Sequence, residues 1–292
     1  MKLIPGRQIA HKILKSLQAI SNKLPATLAV ILVGNDPASH LYVSKKERIS
    51  RQIGLRFQKY LLPANVKQAK VINLIKKLNQ DKKITGMIVQ LPLAKHLNTD
   101  KIISAIDPKK DADGLHPRHL KMLKQGQIPP VLPATTAAIL EALKYTKTNF
   151  KNKSVAIIGK GKIAGLPTYY YLKNKVRQIA IYDSKTINLA SKTRRADILI
   201  VAIGKAKFIT QKYIKKDAII IDVGINKIKH ATVGDVDFAK IEHQAGYVTP
   251  VPGGIGPITV IMLLKNVITL YKNNPPSSSV LIMTFACGAF FH

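Results

Sequence analysis

Ser154-Val155-Ala156-Ile157-Ile158-Gly159-Lys160-Gly161-Lys162-Ile163-Ala164-Gly165 runs an apolar stretch of strand length straight into a glycine-rich turn that opens an amphipathic helix. A turn of this kind lets backbone N–H groups and a helix N-terminus approach a phosphate. The glycine spacing, G-x-G-x-x-x-G, is one residue longer than the usual dinucleotide fingerprint, so the motif by itself also fits an ordinary strand-to-helix turn. Its surroundings favour the dinucleotide reading. Gln178 to Tyr182, Ile198 to Ala202 and Ala218 to Asp222 are further strand candidates, with plausible helices after three of the four. Together they predict a Rossmann-type dinucleotide-binding half.

The same alternation runs upstream. Thr27 to Val33 reads as a strand ending at the breaker cluster Gly34-Asn35-Asp36-Pro37, which can turn the chain and cap a helix carrying Leu41, Lys45 and Arg48 on successive turns. Arg56 to Leu62 reads as a strand, Val66 to Leu78 as a helix and Gly86 to Gln90 as a strand closed by Leu91-Pro92. The loop Asp107 to Pro117, dense in Asp, Gly and Pro, and the pair Pro129-Pro130 precede a helix over Thr135 to Leu143. Ile258 to Leu270 should be a buried helix. Apolar runs alternating between strand and helix length predict an α/β fold on parallel strands. The lack of a fixed-period repeat speaks against solenoids and propellers.

Composition narrows the class. The 292 residues, 46% hydrophobic and 21% charged, are enough for a sizeable core in one large or two ordinary domains and exclude intrinsic disorder. The single cysteine, Cys287, excludes an intrachain disulfide and a multi-cysteine metal site, fits a reducing compartment, and leaves no metal expected. The N-terminus breaks at Pro5-Gly6 and then spaces Ile9, Ile13, Leu17 and Ile20 helically among lysines, which predicts a surface helix rather than a signal peptide. No interior run approaches the ~20 apolar residues of a membrane span, so a soluble, cytoplasmic protein is expected. From Pro275 a Pro/Ser linker breaks the pattern. Residues 275–292 read as a C-terminal appendage, apolar from Val280 to Phe291 but too short to span a bilayer.

Lys+Arg 47 against Asp+Glu 15 gives a formal net charge of +32, a field that attracts polyanions. Nucleic-acid binding is therefore the rival reading. Against it, the lysines are spread over nearly every helix, aromatics make up 6% and no nucleic-acid motif occurs, so no specific nucleic acid is expected as a partner.

Several constellations could carry chemistry. Tyr42 and Lys46 lie four apart on the predicted helix, so ring and ammonium share a face. A lysine crowded by Lys45 and Arg48 and partly desolvated could transfer protons near neutral pH, although a solvated face of Tyr and Lys fits the same residues. Gln90 ends a strand, where α/β folds place ligands and where a simple strand terminator would also stand. Asp111 and Asp113 offer two carboxylates two apart in what could be an exposed Asp-Gly turn. Thr249 to Pro257 holds three Pro, three Gly and no charge, a stiff loop that could approach a flat ligand or simply hinge the last helix.

In this order, Val33-Gly34-Asn35-Asp36-Pro37-Ala38-Ser39 with Tyr42 and Lys46, Val89-Gln90-Leu91-Pro92-Leu93, Lys110-Asp111-Ala112-Asp113-Gly114, Ile221-Asp222-Val223-Gly224-Ile225-Asn226 and Thr249 to Pro257 closely resemble the bifunctional methylenetetrahydrofolate dehydrogenase/cyclohydrolase family, from about Ile4 to Lys272. The resemblance implies two α/β domains with an active-site cleft between them. Residues 1–120 with 257–274 would form the folate-binding catalytic domain, and 121–256 the NAD(P)-binding Rossmann domain. It further implies NADP-linked oxidation of 5,10-methylenetetrahydrofolate to the methenyl form, hydrolysis of that cation to 10-formyltetrahydrofolate, and a homodimer. A non-catalytic relative that binds folate or dinucleotide is a third reading, against which the retained Tyr42, Lys46, Gln90 and Asp113 stand.

Site residues carry over by position. Lys46 matches the catalytic lysine, Gln90 the glutamine that hydrogen-bonds it, Tyr42 the aromatic near the folate rings and Asp113 the carboxylate that binds the pterin. Ser39, Leu91, Pro252, Gly253 and Gly254 join Tyr42, Gln90 and Asp113 as substrate-binding positions. Gly159, Lys160, Gly161, Ile163, Ser184, Lys185, Gly204 and Ile225 are the cofactor-binding positions. Lys160 and Lys185 put positive charge where the 2′-phosphate of NADP would lie, while Asp183 is the kind of residue that holds an NAD ribose hydroxyl. NADP is expected, with NAD as the alternative. Lys160 stands where the family usually has arginine, Gly161 where it has serine, and Pro133-Ala134-Thr135-Thr136 where it has Pro-Cys-Thr-Pro. Fold and activity should survive the changes at Ala134 and Thr136.

Overall fold

A computed structural model describes residues 1–21, 24–229 and 231–275. The expected appendage therefore lies, apart from Pro275, outside the described residues. In chain order the elements are β1 (Lys2–Leu3), α1 (Gly6–Ser21), β2 (Thr27–Val33), α2 (Pro37–Gln52), β3 (Arg56–Leu62), α3 (Gln68–Gln80), β4 (Gly86–Val89), α4 (Thr99–Ser104), α5 (Pro117–Lys124) and α6 (Ala134–Tyr145). They continue with β5 (Ser154–Ile158), α7 (Gly165–Leu172), β6 (Gln178–Tyr182), α8 (Leu189–Thr193), β7 (Ile198–Val201), β8 (Ile219–Asp222), β9 (Asn226–Ile228), β10 (Ala231–Val233), α9 (Phe238–Ile241), β11 (Tyr247–Val248) and α10 (Ile255–Asn273).

The chain divides into two compact units: Gln18–His116 with Leu264 onward, and Met1–Leu17 with Pro117–Leu263. The first is built on a three-stranded parallel sheet in the order β3-β2-β4. Its central strand, Thr-Leu-Ala-Val-Ile-Leu-Val, is buried over all but its last residue, as a strand covered on both faces must be. Val71, Ile75 and Leu78 of α3 share a core with Ala29, Ile31, Met87 and Val89 of the sheet. Met87 also forms a parallel bridge with Asp111, so the loop after α4 runs beside β4. Gly86 makes room for it: a Cβ there would lie 3.2 Å from Cβ of Ala112.

The second unit is built on a six-stranded sheet, β1-β11-β8-β7-β5-β6, with every pairing parallel. β5, β7 and β8 are buried along their whole length, while the edge strand β6 is only part-buried. Ala156, Ile158, Leu199, Val201 and Ile220 form the core with Tyr213, Ile241 and Val248. Thr136 of α6 and Thr168 of α7, both fully buried, hydrogen-bond through their hydroxyls at 3.1 Å.

Several expectations shift. β1 pairs with β11, drawing residues 1–17 into the six-stranded unit rather than with 18–120. The division also falls within α10. The N-terminal helix is not purely superficial: Ile9, Ala10, Leu14 and Leu17 are buried, and of the expected stripe Ile20 is 45% exposed. α10, with 19 residues, is long and apolar enough to cross a membrane by composition, contrary to the expectation of no such run. Its apolarity has a simpler cause, since Ile258, Leu264 and Val267 on it are fully buried inside the protein. The antiparallel β9–β10 hairpin carries no strong turn pattern and was not anticipated.

Candidate active site

In the three-stranded unit, α2 aims the reactive side chains. Asp36 caps it: one carboxylate oxygen accepts from the Ser39 N–H and the Ser39 hydroxyl, both at 2.8 Å, and Pro37 follows in the first turn. Val43, about two turns past the cap, is buried and turns that face of the helix inward. Lys46 then lies one turn beyond Tyr42, on the same side. Its Nζ donates to Oε1 of Gln90 at 2.9 Å. Gln90 directly follows β4, its backbone N–H donating to the Ile31 carbonyl at 2.8 Å and its amide Nε2 to the Leu91 carbonyl at 2.8 Å. With the amide nitrogen so engaged, the oxygen is left to face the lysine.

Asp113 is half-buried on the loop beside β4. Asp111 holds that loop, accepting from the Gly114 N–H at 3.0 Å and the His116 N–H at 2.7 Å, while Nδ2 of Asn266 donates to the Ala112 carbonyl at 2.9 Å. The two carboxylates thus differ: Asp111 is 1% exposed and fastened into the turn. Burial pushes the Lys46 amine below the usual lysine range, and the Asp113 charge opposes that. Burial likewise pushes the Asp113 carboxyl up, the Lys46 charge pulling it down and the Asp111 charge adding to the rise. The result is an amine whose charged form burial disfavours and the Asp113 charge favours, held by an amide oxygen. Burial also raises the Tyr42 phenol, so it stays protonated; Lys45 Nζ sits 5.8 Å from the centroid of its half-buried ring.

In the six-stranded unit, the expected cofactor residues gather at the carboxyl ends of adjacent parallel strands, where open α/β sheets bind ligands. Gly159 follows β5, Ser184 and Lys185 follow β6, Gly204 follows β7 and Ile225 follows β8. Gly159 has φ 121°, and a Cβ on it would lie 2.1 Å from the Ala202 carbonyl oxygen; one on Gly165 would lie 1.7 Å from the Gly159 oxygen. These two glycines let strand, turn and α7 pack closely. A Cβ on Gly161 or Gly204 would meet nothing within 4 Å, so the backbone there is open to a ligand. Ile163 and Ile225 are exposed. The turn is thus closed at Gly159 and Gly165 and open at Gly161.

Lys160 forms an ion pair with Asp183 at 2.9 Å, both groups about half exposed. Asp183 also accepts from the Lys185 N–H at 3.0 Å and the Thr186 hydroxyl at 3.1 Å. The Lys160 hydrogen bond is the main reason its carboxyl lies below the usual range. The carboxylate that could have favoured NAD is thus turned to a lysine and its own turn. In the same unit Pro252, Gly253 and Gly254 lie between β11 and α10, where the Arg7 N–H donates to the Gly253 carbonyl at 3.1 Å.

The structure brings Lys46, Gln90 and Asp113 together, with Tyr42 one turn away on α2. Ser39 it places in the helix cap, buried, with its hydroxyl donated to Asp36. Sequence reasoning passed over Asp111 as a clamp and over a second pair, Asp222 and Asp235. Burial above all pushes Asp222 up to about 7, with the Asp235 charge adding to it against three backbone N–H donors. A signal was present: among 47 cationic residues the 15 acids are scarce, and one flanked by glycine inside an apolar run, Gly234-Asp235-Val236, is a candidate for a buried role.

Two family models match the chain. One, described as tetrahydrofolate dehydrogenase/cyclohydrolase, catalytic domain, covers residues 4–113; the other, described as the NAD(P)-binding domain of the same family, covers 133–275. A bifunctional protein FolD from Sulfurihydrogenibium sp. is 40% identical over 279 residues, 93% of this chain and 98% of the relative. Among solved structures, the bifunctional FolD methylenetetrahydrofolate dehydrogenase/cyclohydrolase from Campylobacter jejuni superposes with a TM-score of 0.89 at 36% identity, covering 94% of this chain and 99% of that one. The Trypanosoma brucei enzyme, solved with NADP cofactor and inhibitor, gives 0.88 at 34% identity, covering 93% and 97%.

Proposed function

The chain belongs to the tetrahydrofolate dehydrogenase/cyclohydrolase family, and on that premise we propose how its residues divide the work. The protein oxidises 5,10-methylenetetrahydrofolate to the 5,10-methenyl form with NADP and hydrolyses that cation to 10-formyltetrahydrofolate. In the hydrolysis, water attacking the electrophilic methenyl carbon must lose a proton, and a ring nitrogen must gain one as the C–N bond opens. The Lys46 amine takes the first proton and delivers the second. Gln90 keeps the amine in place, Asp113 accepts the paired N–H donors of the pterin edge, and Tyr42 offers a flat face to the rings.

The single observation that carries this reading is the 2.9 Å bond from Lys46 to Gln90, made by an amine that burial drives toward its neutral form. Ser39 contributes by capping α2, and Leu91, next to Gln90, contacts the substrate. NADP when bound supplies the hydride acceptor. Gly159, Gly161 and Ile163 hold its pyrophosphate side, Lys160, Ser184 and Lys185 its 2′-phosphate, and Gly204 and Ile225 flank it. A homodimer, a cytoplasmic location and a role in supplying purine biosynthesis complete the proposal.

The test incubates purified protein with methylenetetrahydrofolate and NADP or NAD while following reduced cofactor and methenyl absorbance. Reduced NADP should appear with a transient methenyl signal that decays to the formyl product. No turnover with either cofactor would overturn the reading, and a higher kcat/KM with NAD would reassign the cofactor. Light scattering should return twice the chain mass.

A further inference from the structure

The loops after β7 and β8 are tied together by two carboxylates that neither reaction uses. Asp222, the last residue of β8, accepts through Oδ1 from the N–H groups of Gly224 at 2.9 Å and Asp235 at 3.1 Å, and through Oδ2 from the Val236 N–H at 2.9 Å. Asp235, fully buried, reaches back. Its Oδ2 accepts from the N–H groups of Ile203 at 2.7 Å and Gly204 at 3.0 Å, and its Oδ1 from Nδ2 of Asn226 at 2.9 Å. The backbone of Asp235 is itself anchored, because the Ile209 N–H donates to its carbonyl at 3.0 Å and the Lys207 N–H to that of Gly234 at 3.0 Å.

Two glycines accommodate the crossing. A Cβ on Gly224 would lie 2.3 Å from Cγ of Asp235, and one on Gly234 would lie 1.8 Å from Oδ2 of Asp222. All three donors to Asp235 are neutral amides, so a buried carboxylate is held here without a cation among those bonds, a costly arrangement. Ile203 packs on the core, and beyond it Gly204 is exposed, has φ 66° and has open space where a side chain would be.

We propose that Asp235 is a positioning residue for the dinucleotide: it fixes Ile203-Gly204 directly and Ile225 through the neighbouring Asn226, and so sets the two backbone segments that flank the cofactor. This rests on the reading that the strand ends of the six-stranded sheet receive NADP. Asp235 touches no reacting atom. Its carboxylate acts through the loops it holds, which should separate cofactor binding from folate hydrolysis.

The test measures NADP binding to the full chain by calorimetry, hydrogen exchange at residues 202–206, and hydrolysis of methenyltetrahydrofolate without nucleotide. Asp235→Ala removes the acceptor of the Ile203 and Gly204 N–H groups and of the Asn226 amide, and should raise the NADP Kd about tenfold, with faster exchange at Ile203 and Gly204 and hydrolysis within about twofold of wild type. Asp235→Asn keeps a carbonyl oxygen for both N–H groups while Asn226 turns its own oxygen toward it, so binding should stay within about threefold. If Asp235→Ala fails to fold, Asn226→Ala loosens the same carboxylate and should raise the Kd about threefold; an unchanged Kd there overturns the inference. So does wild-type NADP binding that survives Asp235→Ala intact, or an equal loss of binding and hydrolysis, which would make Asp235 a general structural support. A wild-type chain that binds no NADP overturns the underlying reading and the inference with it.

Discussion

The two units make their sites from different materials. In the three-stranded unit the proposed chemistry rests on side chains, with Lys46 from α2, Gln90 from the end of β4 and Asp113 from the loop beside it. In the six-stranded unit it rests on backbone, where Gly159 and Gly165 give up side chains so that a turn can close, and Asp235 holds loops by their amides. A side-chain site can lose its chemistry and keep its shape. A backbone site loses its shape when an atom is added where strand, turn and helix close, as at Gly159 and Gly165.

Substitutions should break along that line. The largest effect belongs to Lys46→Met, which should cut hydrolysis of methenyltetrahydrofolate by about 10²–10⁴-fold while thermal unfolding and folate binding stay near wild type. Undiminished formyl product from this variant would remove Lys46 from the mechanism. Next comes Gly159→Ala. With φ 121° and a carbonyl oxygen 2.1 Å from the new Cβ, the turn must move, and dehydrogenase kcat/KM should fall by about 10–100-fold. Nucleotide-free hydrolysis should barely change; a parallel fall in both activities would dissolve the contrast between the units.

A subtler test is Asp113→Asn read as a pH profile. The Asp113 charge raises the Lys46 pKa, so removing it should lower that pKa and move the ascending limb of kcat for hydrolysis to lower pH. A limb that stays put or moves up would separate the two groups. The smallest effect is expected from Asp183→Ser. Freed of its partner, Lys160 should meet the 2′-phosphate unopposed, and the kcat/KM ratio of NADP to NAD should rise about two- to fivefold. A fall in that ratio would show the carboxylate contributes to NADP selection.

Much of this was legible without coordinates. β2, β3, β5 and β6 run over the residues that the sequence delimits: β2 and β5 because a buried parallel strand is apolar along its length, and all four because they stop where Gly, Pro or Asp intervenes. The Lys46–Gln90 contact was expected from family resemblance; spacing alone could place Lys46 on a helix but could not choose its partner. What stayed hidden depends on distant partners. β1 and β11 are two residues each and exist only because they pair with one another and with β8. The role of Asp235 depends on β7 and the β9 hairpin arriving around it, and Asp111 and Asp113 look alike until the turn shows which of them its N–H groups engage.

The account turns on the Lys46 amine being tuned, and the direct measurement is an NMR titration of the labelled lysine side chains, with the Lys46 signal assigned by its absence from Lys46→Met. The account predicts a midpoint below the ordinary lysine value of 10.5. A Lys46 amine that titrates at or above that value would contradict it.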